Sequence, residues 1–262
     1  MRLDIYLTRK GYCETRSKAS QLIRSNAVII NGKVCNSKGY DVRDTDIVSL
    51  KDNDVLKYVS RGGHKLEKAI ESFGLDFKDK IIADIGSSTG GFTDCALQHG
   101  AKKVYAIDVG TSQLHESLRN RDDVIVMENT NFRYLDRSVI KDTIDFYVCD
   151  VSFISVREIL KALIGFGEPF TLMLLFKPQF EVGPEKLGSN GVVRNPLFLR
   201  EALNDFETFL KENHLILRGS DFSPIKGNKE GNIEFLMLVS TDGKATALDA
   251  DALVSKAMES LT

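Results

Sequence analysis

The sequence predicts an α/β fold: a Rossmann-like open sheet, mostly parallel with its last strand antiparallel, preceded by a small α+β module. Three observations predict it. Short apolar runs beyond residue 80 carry no polar face and alternate with helical stretches, the pattern of a parallel sheet covered on both sides. The first forty residues lack that alternation and hold eight Lys/Arg against two acids. The length, 262 residues with 42% hydrophobic and 27% charged, suits one large domain with an appendage.

In order, Leu3, Tyr6 and Leu7 share one helix face, and Gly11 stops that helix. Thr15 or Ser17 caps a second helix running to about Ser25, with Ala19, Leu22 and Ile23 inward and Arg16, Ser20 and Arg24 outward. Val28–Val34 reads as a hairpin around Asn31-Gly32, the pair that a type I′ turn favours. Ile47–Leu50 adds a strand, and polar residues 51–62 read as a linker. Strands follow at Ile81–Ile85, Val104–Ile107, Val124–Val126, Phe146–Cys149 and Phe170–Phe176. Helices are expected after Gly90-Gly91, up to Leu118, over Ile154–Leu163 and over Pro196–Asn213. Strands near Leu215–Gly219 and Ile233–Val239 have no helix between them and read as an antiparallel pair. The predicted division is 1–57, 58–243 and a C-terminal helix or tail at 244–262.

Composition excludes several classes. A chain of this length buries roughly 70% of its unfolded surface, so disorder and a disulfide scaffold are out. The longest apolar stretch, near Phe170–Phe176, is far short of the roughly twenty residues of a membrane span. The N-terminus has no signal-peptide core, and a cytoplasmic, membrane-independent protein is expected. Cys13, Cys35, Cys95 and Cys149 match no zinc spacing and read as reduced thiols. Residues 1–40 carry a net +6 and residues 41–262 a net −8. A basic head on an acidic body suits a module that meets a polyanion. A solvated basic face gives the same count.

The strongest local signal is Asp84-Ile85-Gly86-Ser87-Ser88-Thr89-Gly90-Gly91-Phe92, placed directly after a strand and before a helix. Glycines there let the backbone approach a ligand, and the helix start offers N–H groups. The loop is neither the dinucleotide G-x-G-x-x-G nor a P-loop. Asp108, at the end of the next strand, can accept hydrogen bonds from both hydroxyls of a ribose. A glycine loop and a ribose-binding acid without phosphate machinery fit S-adenosylmethionine better than NAD or ATP; a tight turn with an Asp cap is the bland alternative. Asp150 and Lys177 follow apolar strands, Lys65 precedes the sheet, and Glu234 starts the last strand. Asp150, Lys177 and Glu234 are expected at the carboxyl-end crevice of the sheet, where ligands bind; singly, each of the four also reads as a solvated charge.

These residues resemble the TlyA (hemolysin A) family of ribosomal RNA 2′-O-methyltransferases. Residues 1–57, through Arg16-Ser17-Lys18-Ala19, Leu22-Ile23 and Val28–Lys33, resemble the S4-type RNA-binding domain. Residues 60–240 resemble the FtsJ-type methyltransferase domain, a class I methyltransferase sheet. The segments SRGGHKL, DIGSSTGGF, CDVSFIS, FKPQFEVG with GVVRNP, and SPIKGNKEGNIEF carry the likeness. His64 and the stretch GNKEGN depart slightly from the pattern. The resemblance implies a catalytic set of Lys65, Asp150, Lys177 and Glu234. The implied cofactor is S-adenosylmethionine, expected to be held by Asp84, Gly86, Ser87, Ser88, Thr89, Gly90, Gly91 and Phe92 of the loop together with Asp108. RNA contacts are expected from Arg9, Lys10, Arg16, Lys18, Arg24, Lys33, Arg61 and Arg194.

The implied substrate is a cytidine 2′-hydroxyl of 23S rRNA, with a 16S site in some members, presented in ribosomal subunits. No metal and no stable protein partner are expected. Lys177 is the group for the 2′-hydroxyl, as a base or as a cation that stabilises developing alkoxide. Residues Val182–Pro196, with Gly183, Gly188, Gly191, Lys186 and Arg194, are expected to form a mobile loop closing over RNA. Competing readings are a non-catalytic ribosome-assembly factor and a pore-forming protein, the latter lacking any strongly apolar amphipathic segment.

Overall fold

In the N-terminal unit, Met1–Tyr58, two helices pack on a small sheet because each element has one apolar side. In this computed structural model all residues are described except 52–56, 189, 228–230 and 262. Helix α1 is Leu3–Arg9 and α2 is Arg16–Arg24, the latter capped by Thr15, whose hydroxyl accepts from the Lys18 N–H. Leu3, Leu7, Ala19, Leu22 and Ile23 are fully buried. Strands β1 (Val28–Ile30), β2 (Lys33–Val34) and β3 (Val48–Leu50) pair in the order β2-β1-β3, all antiparallel. Asn31 and Gly32 take φ of 50° and 78°, the left-handed pair that the type I′ turn requires.

The second unit, Val59–Thr262, holds seven strands: β4 (Ile81–Ile85), β5 (Lys103–Ile107), β6 (Val124–Met127), β7 (Phe146–Cys149), β8 (Thr171–Phe176), β9 (Ile216–Phe222) and β10 (Phe235–Ser240). Their order is β6-β5-β4-β7-β8-β10-β9. The first five run parallel, and β10 is antiparallel to both β8 and β9. Chain order reverses between β4 and β7, and such a switch point opens a crevice at the carboxyl ends. Helices α3 (Gly62–Phe73), α4 (Gly91–Gln98), α5 (Glu116–Arg119), α6 (Val156–Gly165), α7 (Pro196–Glu212) and α8 (Ala250–Ser260) complete the unit. Among the described residues no helix is long and apolar enough to cross a membrane, and no disulfide forms.

The structure differs from the sequence reading in three places. Helix α3 starts at Gly62, inside the stretch read as a linker, and buries Leu66 and Ala69. The helix expected up to Leu118 is a single turn, Glu116–Arg119. Upstream, Ser112 takes a left-handed φ of 54°, which no α-helix contains, and the N–H groups of Ser112, Gln113 and Leu114 are taken by the Glu128 carboxylate at 2.8, 3.1 and 3.4 Å. Of the two alternatives for the C-terminal segment, the structure has the helix, with Leu253, Val254 and Ala257 buried. The segment expected to be a mobile loop is anchored at its far end: Val192 and Val193 are buried, and the Asn232 side chain accepts from Val193 N at 2.9 Å and donates to Gly191 O at 3.1 Å. Ser189 within that segment, and Asn228, Lys229 and Glu230 of GNKEGN, lie outside the described residues.

Candidate active site

A cavity of about 690 Å³ opens at the switch point. Its floor is the loop after β4, and its walls are the starts of α3 and α4, the segments after β7 and β8, and the approach to β10. Two glycines set its shape. Gly86 has φ 82°, and a Cβ there would lie 2.9 Å from the Asp150 carbonyl oxygen. A Cβ on Gly91 would lie 2.4 Å from Ser60 Oγ and 2.9 Å from Gly63 N. The loop glycines therefore let the backbone approach its own neighbours: Gly86 seats β4 against β7, and Gly91 lets α4 touch α3, which carries Lys65. Ser87, Ser88, Thr89 and Phe92 also line the cavity. Gly90 lies under Leu114 and Leu118.

Two acids read as cofactor ligands do not line the cavity; they hold the loop that does. Asp84 is fully buried, and its Oδ2 accepts from the Thr93 hydroxyl at 2.6 Å, while Oδ1 has no hydrogen-bond partner among the described residues. Burial pushes its carboxyl up to about 7; the Thr93 bond opposes this and the Asp150 and Asp108 charges add to it. Asp108 accepts from Ser88 N at 2.8 Å and from Gly110 N at 2.6 Å. Each carboxylate oxygen keeps a further acceptor site, so Asp108 can clamp the loop and still receive a hydroxyl.

Four charged residues from distant parts of the chain meet at the cavity wall. Lys65 Nζ donates to Glu234 Oε2 at 2.7 Å and lies 3.5 Å from Asp150 Oδ2. Lys177 Nζ lies 2.6 Å from Asp150 Oδ1, in an ion pair outside hydrogen-bond alignment, and donates to Ser152 Oγ at 2.8 Å. The register explains the meeting. Phe235 pairs with Phe176, so Glu234 and Lys177 are the next pair outward. Lys65, Lys177 and Glu234 are 5%, 6% and 3% exposed. Charges so buried require partners, and each has one. Burial alone would raise the Asp150 carboxyl, but the Lys65 and Lys177 charges outweigh it and hold it below the usual carboxylate range.

Sequence reasoning missed three neighbours of this set. Ser152 is the second oxygen partner of Lys177. Phe153 is 90% exposed with φ 66°, its ring 5.4 Å from that of Phe180 at the cavity wall. Glu181 accepts from Ser155 Oγ at 2.7 Å and Val156 N at 2.8 Å, so it caps α6 and ties the segment after β8 to the segment after β7. Only the last has a sequence signal, an acid facing a helix start; the others depend on loop geometry.

The residues read as RNA contacts fall into two groups. Arg9, Lys10, Arg24, Lys33 and Arg194 are exposed. Arg61 lines the cavity. Arg16 instead lies 2.8 Å from the buried Asp4, which Arg2 also approaches at 3.1 Å, and Lys18 pairs with Glu14 at 2.8 Å. The bonds from Arg16 and Arg2 hold the Asp4 carboxyl down at about 2.

The FtsJ-like methyltransferase family model matches residues 58–240, and the S4 domain model matches residues 1–48. The chain belongs to the TlyA family of FtsJ-like methyltransferases. YqxC of Bacillus subtilis (strain 168) is 46% identical over 245 residues, covering 93% of this chain and 86% of its own. The 16S/23S rRNA (cytidine-2′-O)-methyltransferase TlyA of Mycobacterium tuberculosis is 36% identical over 241 residues, 92% of this chain and 90% of its own. A solved structure from Streptococcus thermophilus superposes with a TM-score of 0.78 at 40% identity, covering 99% of this chain and 96% of that one. The likeness to these three proteins covers more than nine-tenths of this chain and so takes in both units.

Proposed function

We propose that the chain transfers the methyl group of S-adenosylmethionine to the ribose 2′-hydroxyl of a cytidine in ribosomal RNA, acting on ribosomal subunits in the cytoplasm, with 23S rRNA as the substrate. The observation that carries this reading is the convergence of Lys65, Asp150, Lys177 and Glu234 beside the glycine loop within one cavity. Family membership supports the cofactor and the reaction class, and the names of relatives support the substrate.

The residues fit S-adenosylmethionine. A volume near 690 Å³ suits a ligand of that size. The loop backbone and the start of α4 offer N–H groups, and Asp108 offers carboxylate lone pairs to a ribose, while the buried Asp84 supports the loop through Thr93. When bound, the cofactor supplies a methyl already activated by its positive sulfur. The chain's task is to align the hydroxyl and manage its proton. Alignment alone contributes up to about 7–11 kcal/mol in favourable cases. Lys177 lies at the cavity wall with its charge compensated by Asp150, placed to meet the hydroxyl as base or as stabilising cation. Lys65, fixed by Glu234 and Asp150, holds Asp150 in place. Phe153, exposed above Phe180, offers a face on which a base can stack. Arg9, Lys10, Arg24 and Lys33, with the locally paired Arg16 and Lys18, supply phosphate contacts, which position RNA without reading bases; Arg61 and Arg194 extend these contacts in the second unit.

The test is incubation with purified large and small ribosomal subunits and methyl-labelled S-adenosylmethionine, followed by mapping of 2′-O-methyl nucleotides. Label on a single cytidine ribose per subunit type supports the reading. Label on a base, or none on either subunit with cofactor bound, contradicts it.

A further inference from the structure

The segment after β7 holds a residue whose geometry exceeds a loop serine's needs. Ser152 is exposed, so its hydroxyl could be satisfied by water, yet its oxygen is held 2.8 Å from the Lys177 ammonium. We propose that Ser152 is a positioning residue for Lys177, fixing the direction in which the Lys177 nitrogen faces the reacting hydroxyl. The proposal rests on the methyl-transfer reading above and deepens it.

The argument is one of bond directions. The Lys177 nitrogen is tetrahedral, with one bond to Cε and three remaining positions. Among the described residues it has two oxygen partners, Asp150 Oδ1 at 2.6 Å and Ser152 Oγ at 2.8 Å. The Ser152 hydrogen bond takes one of these positions and so fixes the rotation about Cε–Nζ, and with it the apex offered to the reacting hydroxyl. That apex is an N–H if the group acts as a cation, or a lone pair if it acts as a base; in either case Ser152 sets where it points. Asp150 does not set it, because its contact with Lys177 lies outside hydrogen-bond alignment and Asp150 is shared with Lys65 at 3.5 Å. Ser152 also differs from an acid in kind. It accepts from Lys177 without adding a negative charge that would oppose an alkoxide developing nearby.

The loop is built to hold this serine still. The next residue, Phe153, takes φ 66°, a conformation that costs a non-glycine residue free energy and persists only where surrounding contacts enforce it. Those contacts are visible. Two residues on, Ser155 and Val156 bond to Glu181, which lies four residues past Lys177. The lysine and the serine thus sit on two segments stitched together within a few residues of both.

The experiment measures single-turnover methylation of ribosomal subunits by Ser152→Ala, Ser152→Thr and Lys177→Ala, with subunit and S-adenosylmethionine affinities measured for each. Misplacing a reacting group by a fraction of its contact distance costs up to about 100-fold in rate. Ser152→Ala is therefore expected to lose about 10- to 100-fold in the saturated rate with both affinities unchanged, and Ser152→Thr, which keeps the hydroxyl, to recover most of it. Ser152→Ala that weakens subunit binding at an unchanged saturated rate would make Ser152 an RNA contact and overturn the proposal. So would an Ala variant as fast as wild type, or a Thr variant no better than Ala. If Lys177→Ala also keeps its rate, the methyl-transfer reading of the lysine fails as well; if Lys177→Ala is inactive while Ser152→Ala is not, only the serine proposal falls.

Discussion

The basic head and the cavity wall both work with lysine and arginine, but in opposite settings. In the head, Arg9, Lys10, Arg24 and Lys33 are exposed and keep their hydration, so they cost little to hold and act through a summed field that salt screens. At the cavity wall, Lys65 and Lys177 are buried, and each is stable only because an acid or hydroxyl lies within 2.6–2.8 Å. An exposed charge is legible by counting along the chain; a buried one has meaning only through the partner that the fold delivers. Arg16 joins the two settings: it is counted in the head, yet it neutralises the buried Asp4.

The sharpest test of that contrast removes a buried partner. Glu234→Ala leaves Lys65 with only Asp150 at 3.5 Å, and breaking a buried pair from one side costs about 3–5 kcal/mol. Urea unfolding should show a loss of that order, whereas Arg24→Ala in the head should leave stability within about 0.5 kcal/mol. Equal small losses would erase the distinction.

Asp84 tests burial through pH. Its folded carboxyl sits near 7, raised from 3.8, so folding favours the protonated form. That contribution is complete below 3.8 and is lost as pH rises through about 7. Stability of the wild type relative to Asp84→Asn should therefore fall across that window, by a few kcal/mol and at most on the order of 4. A difference that does not vary with pH would show that Asp84 is ionised throughout.

A smaller effect is expected from Asp108→Ala. Loss of charge-assisted bonds worth about 1.5–3 kcal/mol each weakens S-adenosylmethionine binding, both directly and by releasing the Ser88 and Gly110 N–H groups. Calorimetry with unchanged affinity in a folded variant would remove Asp108 from the site. Smallest per residue are the head contacts. Replacing Arg9, Lys10, Arg24 and Lys33 singly by Ala should lower the salt dependence of subunit binding by roughly 0.7–0.9 in log–log slope per lost phosphate contact, with cofactor affinity untouched. An unchanged slope would make the head a solvated face.

Much of the fold was legible because strands such as Ile81–Ile85 and Phe146–Cys149 are apolar on both sides, and the structure reproduces those two spans. Helix α3 was not, since Gly62-Gly63 punctuates like a linker; only packing of Gly62 and Gly63 against Gly91 shows why glycines begin a helix there. The one-turn α5 escaped because Ser112 takes a left-handed φ in a loop whose N–H groups the distant Glu128 carboxylate holds. The four charged residues were legible through a family resemblance and their place at strand ends. Ser152 and Phe153 were not, because a hydroxyl partner and a left-handed φ arise from loop closure rather than from periodicity.

The central claim is that Lys177 acts in the transition state and that its network is more than a structural set of ion pairs. The most direct measurement is the single-turnover methylation rate of Lys177→Ala on saturating ribosomal subunits and S-adenosylmethionine, beside Lys177→Arg. A group that handles a proton or its charge contributes about 10²–10⁴-fold, so Lys177→Ala should lose at least that much with both ligands still bound. Partial activity in Lys177→Arg, whose guanidinium stays protonated, would assign the role to charge stabilisation, and none would be consistent with proton removal. A Lys177→Ala rate close to wild type would contradict the account and reduce the four residues to a buried structural network.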